Sequence, residues 1–377
     1  MMKTNASIYI HIPFCNSKCY YCNFVSAPET EVVKQQYVKV LCKEIEMRSK
    51  IYDGQDKITI KTIYFGGGTP TTLNVSQIAK IFETIKQNFY IQKNAEISIE
   101  ANPNTVTYLK LKQLKNIGFN RISFGVQSLD DTTLKKIGRT HTKQDAINAI
   151  KNAVLCGFTN INADILLGLP NQTKKTIENS ILELVKSGVT HISAYMLILE
   201  ENTPLFELVK KNAIVLPTDD QSVLLYNFVV NMLKNLGYKR YEISNFAKVG
   251  YECKHNLAYW NRLNYFGFGL SSCSLLNNTR LTNTSNMKTY LKGQFVCETE
   301  VLTKQNILEE IVMLSLRTAQ GINLKNFKKI TGENLEIIKE SEIMELKKLK
   351  LIIIKNNFLF VNPKKFGVTN QIIFKLV

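Results

Sequence analysis

The chain has 377 residues, 45% hydrophobic and 21% charged, with a formal net charge of +17. This composition excludes a disordered chain, and the length exceeds one average domain but fits an α/β barrel of roughly 200 to 250 residues with a smaller appendage. No stretch nears the ~20 apolar residues of a membrane helix and MMKTNASIYIHIPFC lacks the apolar core of a signal peptide, so a cytoplasmic protein is expected.

The first β-rich run, SIYIHI, leads into HIPFCNSKCYYCNF, where Cys15, Cys19 and Cys22 stand in C-x3-C-x2-C spacing. One loop can wrap three such thiolates around a compact metal centre. A [4Fe-4S] cluster is normally held by four cysteines, so three leave one iron open to a small molecule. Structural zinc wants four protein ligands, and no nearby Cys-His pair completes a set. Buried free thiols rarely crowd at metal-like spacing. Cys42, Cys156 and Cys297 are read as core or surface thiols, since disulfides are rare in a reducing compartment, and the role of Cys273 stays open. Cys253, two residues before a histidine, is read as incidental.

Five more β-rich runs follow: TIKTIYF, EISIE, RISFGV, NINADILL and HISAYMLIL. Segments near 30–50, 74–90, 105–117, 143–156, 173–187 and 218–236 carry apolar residues at helical spacing, with Gly118, Gly157, Gly188 and Gly237 where helices should end. The alternation predicts a parallel sheet, a partial (β/α)6 barrel spanning 1–240. In such folds the C-terminal strand ends carry the site. Gly66, Gly67 and Gly68 sit at one of them, where a missing Cβ allows close backbone approach. Glu100, Gln127 and Asp164 sit at others and can meet hydroxyl or amino groups of a ligand, or merely cap a helix and satisfy a loop. Tyr21 can stack on a base or pack at the barrel mouth.

From 241 to 299 the sequence reads as connecting strands and loops rich in turn residues. From 300 to 377, helical patterns followed by LIIIKNNFLFV, two β runs around Asn-Asn, predict a smaller α+β, winged-helix-like domain. The lysines are spread without a dense block, which favours a solvated surface, and no RNA-binding module accompanies them, so no nucleic acid is expected.

The triad, TIYFGGGTPT, ISIEANP, RISFGVQS and NADILLGLP, in that order, resemble the HemN/HemW branch of the radical SAM superfamily over most of the chain. The resemblance implies one [4Fe-4S] cluster on the three cysteines, with S-adenosylmethionine (SAM) on its open iron. It implies SAM contacts from Tyr9, Gly67, Gly68, Thr69, Glu100, Gln127, Arg139 and Asp164, with Arg139 facing the SAM carboxylate.

Within the branch, coproporphyrinogen dehydrogenases carry a longer N-terminal segment and a further cysteine soon after the triad, where this chain has Asn23 and Phe24. GRTHT, with Arg139 and His141, and ECKHNLAYWNR resemble HemW-type haem chaperones instead. The latter matches H-N-x-x-Y-W through His255, Asn256, Tyr259 and Trp260. Imidazole is a natural axial ligand of haem iron and an aromatic pair can flank a porphyrin. A hydrogen-bonded loop histidine and a packing tryptophan are the plainer alternative. The resemblance implies haem as cargo, passed to haem-receiving membrane or respiratory proteins, and a reductant for the cluster. Peripheral membrane contact and a homodimer stay open, as does the alternative of oxidative propionate decarboxylation.

Overall fold

In a computed structural model, residues 5–50 and 58–377 are described. Six strands, β1 (Asn5–Ile12), β2 (Thr59–Gly67), β3 (Tyr90–Ala101), β4 (Arg121–Gln127), β5 (Asn160–Leu167) and β6 (His191–Met196), pair in parallel in chain order. Helices Glu31–Lys50, Val75–Asn88, Tyr108–Ile117, Lys143–Leu155 and Lys174–Lys186 connect them. The turn chemistry explains several boundaries. Asn74, Thr142 and Thr173 cap helix N-termini with reciprocal capping boxes, and Gly118 ends its helix at φ 125°.

Each strand alternates, with an inversion of the usual pattern. Ile8, Ile10, Ile63, Phe65, Ile97, Ile99, Ile122, Phe124, Ile161 and Ala163 are buried in one core that the helices cover. The intervening Tyr64, Glu100, Arg121, Ser123, Asn162, Asp164 and Ser193 line an internal cavity. A barrel whose inside is polar is not filled by its own side chains, and that leaves a chamber.

The sheet does not stop at β6. The short strands β7 (Lys239–Arg240) and β8 (Asn245–Ala247) add antiparallel to it. At the other edge β9 (Tyr265–Phe268) pairs parallel with β1, followed by β10 (Cys273–Leu276), β11 (Thr279–Asn283) and β12 (Val296–Val301). Among the described residues the result is one 12-stranded sheet with β12 and β7 at its ends, so the barrel stays open. The stretch 241–299, expected as connecting strands and loops, thus extends the main sheet at both edges, and it folds its central part into helix Lys254–Trp260.

A buried ionic network fixes the β9 side. Glu44 and Arg48 on helix Glu31–Lys50 pair at 3.0 Å with side chains 0% and 7% exposed. Arg48 donates to Gly267 O and Ser274 Oγ, while Glu44 accepts from Gly269 N, Asn283 Nδ2 and Tyr290 OH.

A second core forms from Leu308, Val312, Phe327, Leu346, Leu359 and Ile372. It backs a three-stranded sheet of β13 (Ile322–Asn323), β14 (Ile352–Lys355) and β15 (Phe358–Val361), in the order β13-β15-β14. Asn356 and Asn357 turn the β14–β15 hairpin at φ 53° and 62°, the left-handed conformations that Asn tolerates best after glycine. Arg262–Glu310 at 2.7 Å and Arg240 stacked 3.9 Å over Phe366 tie this unit to the main sheet.

Candidate functional site

The loop after β1 brings Cys15, Cys19 and Cys22, all half-buried, to the mouth of a cavity of about 560 Å³. Its backbone is pinned independently of the thiols. Cys15 N donates to Ala27 O, Ala27 N to Pro13 O, Tyr20 N to Ile137 O, and Leu205 N to Tyr20 O. Cys15 Sγ lies 3.6 Å from Thr69 Oγ1, and Arg139 Nη1 donates to Cys19 Sγ at 3.4 Å. Among the described residues no three Cys, His or acidic side chains converge on a single-ion point. Three sulfurs spread around one mouth, with a cation beside one of them, fit a multi-iron cluster in which each cysteine holds a different iron.

The glycine run does more than admit a ligand. Gly67 and Gly68 line the cavity, but a Cβ on Gly68 would stand 2.7 Å from Phe14 O, and one on Gly67 (φ 110°) 2.6 Å from the His11 ring. The run therefore lets the end of β2 lie against the root of the cysteine loop, where Gly68 N donates to Ile12 O and Thr69 N to Phe14 O.

Along the wall, Glu100 accepts from Tyr64 OH at 2.8 Å and Gly67 N at 3.1 Å. Burial pushes its carboxyl up to about 7 against those two bonds. Asp164 accepts from Asn162 Nδ2 at 2.7 Å and Ser123 Oγ at 3.3 Å, and burial also raises its pKa. Gln127 ends β4 at φ 66°, a left-handed backbone that costs a side-chain-bearing residue about 1–3 kcal/mol and is typically retained at sites. Arg139 is engaged with Cys19, with Asn102 Oδ1 at 3.1 Å and with Gly125 O. It sits beside the cysteine loop, its guanidinium already partnered. His141 is buried with Nε2 3.1 Å from Val126 O, and burial lowers its pKa to about 4.

Cys15, Cys19, Cys22, Tyr21, Gly67, Gly68, Thr69, Glu100, Gln127, Arg139, Asp164 and Asn256 thus line one space. Tyr9 does not line it; its hydroxyl meets His11 Nδ1 at 3.1 Å, and its ring stacks 6.3 Å from Tyr64. Tyr64, Asn102, Arg121, Ser123, Asn162, Ser193 and Tyr195 also face it and were not singled out from sequence. A signal existed for three of them, since Tyr64, Ser123 and Asn162 lie two residues before Gly66, Gly125 and Asp164, on the same strand face.

The H-N-x-x-Y-W segment is a helix in the wall rather than a surface loop. His255 is 1% exposed, its ring stacked 5.0 Å from Tyr64 and edge-on to Tyr259 at 5.0 Å. Glu96 accepts from the backbone N–H of Lys254 and His255. Nδ1 lies 2.8 Å from Thr62 Oγ1, whose proton goes to Ser7 Oγ, so Nδ1 is the donor and Nε2 keeps a bare lone pair with no partner. Burial, then the charge of Arg121, lowers its pKa to about 3, so the ring is neutral. Asn256 reaches the cavity, whereas His255, Tyr259 and Trp260 do not line it. The plainer alternative of a hydrogen-bonded loop histidine does not describe it, because Glu96 and the aromatic rings draw the motif into the wall as a helix.

Residues 9–184 match the model of the Radical SAM superfamily, and residues 302–364 that of the HemN C-terminal domain. Heme chaperone HemW of Bacillus subtilis (strain 168) is 37% identical over 352 residues, covering 92% of either chain. Heme chaperone HemW of Lactococcus lactis subsp. lactis (strain IL1403) is 30% identical over 380 residues, covering 100% of this chain and 98% of the relative. The coproporphyrinogen III oxidase HemN from Escherichia coli superposes with a TM-score of 0.86 at 22% identity, over 99% of this chain and 90% of that one, which is a likeness of fold. Among the described residues no helix is long and apolar enough to cross a membrane.

Proposed function

The chain belongs to the HemW family of heme chaperones within the radical SAM superfamily, and we propose from this that it binds haem and hands it to haem-requiring respiratory proteins. The observation that carries the reading is the placement of the 255–260 motif in the wall of the cofactor cavity, with Asn256 facing the space and His255 behind it, neutral and with a free nitrogen lone pair. That is the tautomer a metal takes up. Axial ligation by His255 then requires the motif helix to shift from the wall.

Cys15, Cys19 and Cys22 would hold a [4Fe-4S] cluster, and Tyr21, Gly67, Gly68, Thr69, Glu100, Gln127, Arg139 and Asp164 would surround SAM. Tyr9, behind the wall, would support Tyr64 rather than touch SAM. When bound, that pair supplies one-electron chemistry at the sulfonium. Glu100 and Asp164 offer carboxylate acceptors to hydroxyl or amino groups, while Arg139 steadies the cluster loop.

The titration of Glu100 makes a pH dependence. Its carboxylate is the better acceptor, and with a pKa of about 7 it is progressively lost as pH falls. SAM affinity of the anaerobic protein is expected to weaken about tenfold from pH 8 to pH 6, the ratio of ionised fractions for one such group. Calorimetry on wild type and Glu100→Gln checks this: the variant should be flat across the range, and a wild type equally flat would remove Glu100 as the titrating group.

The function is tested by titrating cluster-loaded wild type and His255→Ala with haem through the Soret band, then assaying transfer to a haem-depleted respiratory protein. Saturable binding and transfer in the wild type, both reduced in a variant of unchanged circular dichroism, are expected. Decarboxylation of coproporphyrinogen by the same samples, with haem binding indifferent to His255, would make the chain an enzyme instead.

A further inference from the structure

One wall group is not among the residues assigned above to the cluster or SAM. Arg121 opens β4, is 2% exposed and lines the cavity, yet its Nε and Nη1 have no hydrogen-bond partner. It takes part in none of the ion pairs among the described residues. Glu96, Glu100 and Asp164 all feel its charge, but Glu96 spends its oxygens on the N–H groups of Lys254 and His255 and on Cys253 Sγ, and neither Glu100 nor Asp164 hydrogen-bonds to it. Buried guanidinium groups are ordinarily paired, because taking a cation out of water without a counter-ion is costly. Arg121 therefore stands ready for an acceptor that arrives from the cavity.

The geometry points to Arg121 as the anchor for a carboxylate of the ligand that enters the barrel. Resting on the cargo reading above, that carboxylate is a porphyrin propionate. Two orphaned groups share this region, the guanidinium of Arg121 and the Nε2 lone pair of His255, and the Arg121 charge is felt at His255. An imidazole lone pair answers a metal, and a guanidinium fork answers a carboxylate in bidentate fashion. A metalloporphyrin with free propionates carries both partners on one rigid frame. A ligand without an acceptor would leave Nε and Nη1 of Arg121 unpartnered.

The test compares haem with haem dimethyl ester, whose propionates carry no charge, on the full-length cluster-loaded chain as wild type, Arg121→Gln and Arg121→Lys. The quantity read is the ratio of the two affinities, which cancels a general loss of packing in a variant. Wild type is expected to prefer the free acid by about 10- to 100-fold, the size of one charged hydrogen-bonded contact. Arg121→Gln should lose that preference, and Arg121→Lys, a point charge without the fork, should keep part of it. Equal affinity of wild type for acid and ester would overturn the assignment while leaving the cargo reading intact, and would mean that buried water satisfies Arg121. Failure of wild type to bind either compound would overturn the cargo reading, and the propionate anchor with it. A preference preserved in Arg121→Gln would place the carboxylate contact elsewhere.

Discussion

Cys19→Ser is expected to lower bound iron from about four atoms per chain to near zero after anaerobic reconstitution, with loss of the broad sulfur-to-iron absorbance. The loss should be one of ligand and not of fold. The loop is held by Cys15 N to Ala27 O, Tyr20 N to Ile137 O and Leu205 N to Tyr20 O, none of which uses a side-chain sulfur. Serine preserves the size of the side chain but lacks the soft thiolate that iron–sulfur clusters require. The control is Cys253→Ser, at a thiol that burial pushes up to about 12 and that faces Glu96 at 3.6 Å; it should keep its iron. Iron and sulfide analysis with electron paramagnetic resonance of the reduced samples decides the matter. Full iron in Cys19→Ser, or its loss in Cys253→Ser, would remove the triad from the role.

Glu44→Ala is expected to destabilise the main body by about 3–5 kcal/mol, the cost of stranding one partner of a buried ion pair. The substitution leaves Arg48 as an uncompensated cation with its side chain 7% exposed, and takes the acceptor from Gly269 N, Asn283 Nδ2 and Tyr290 OH. Because Glu44 and Arg48 hold β9 and β10 beside β1, the consequence should reach the cluster loop that follows β1. Urea unfolding followed through Trp260, the chain's single tryptophan and part of the motif helix, reads the change. The paired replacement Glu44→Ala with Arg48→Met should lose less than Glu44→Ala alone, since it removes the stranded charge. A loss below about 1 kcal/mol in Glu44→Ala would mean that water reaches the pair and screens it.

The six barrel strands, the helices between them, the C-terminal hairpin and the cysteine triad were legible because each is a local signal. Period-two alternation, capping residues, Asn-Asn at a turn and C-x3-C-x2-C spacing act over a few residues, where propensity and ligand geometry decide the outcome. Glu100, Gln127 and Asp164 were legible for a related reason, since polar groups at the C-terminal ends of parallel strands face one end of a barrel. The extension of the sheet by β9 through β12 was not, because strands so short and so far apart in sequence are assembled by the Glu44–Arg48 network rather than by their own pattern.

His255 and Arg121 show where sequence stops. An imidazole next to Asn looks the same in sequence whether it faces water or a barrel wall. Its burial, its tautomer and its unpartnered Nε2 depend on Thr62, Tyr64 and Glu96, which come from other strands. Arg121 begins an ordinary strand, and only closure of the wall around it strips away water without supplying a partner. The sequence alone determined the elements and the spacing of the candidate ligands, because these follow from neighbours along the chain. The tertiary structure alone decided which polar groups are satisfied and which are left waiting, because hydrogen bonding inside a cavity is settled by residues far apart in sequence.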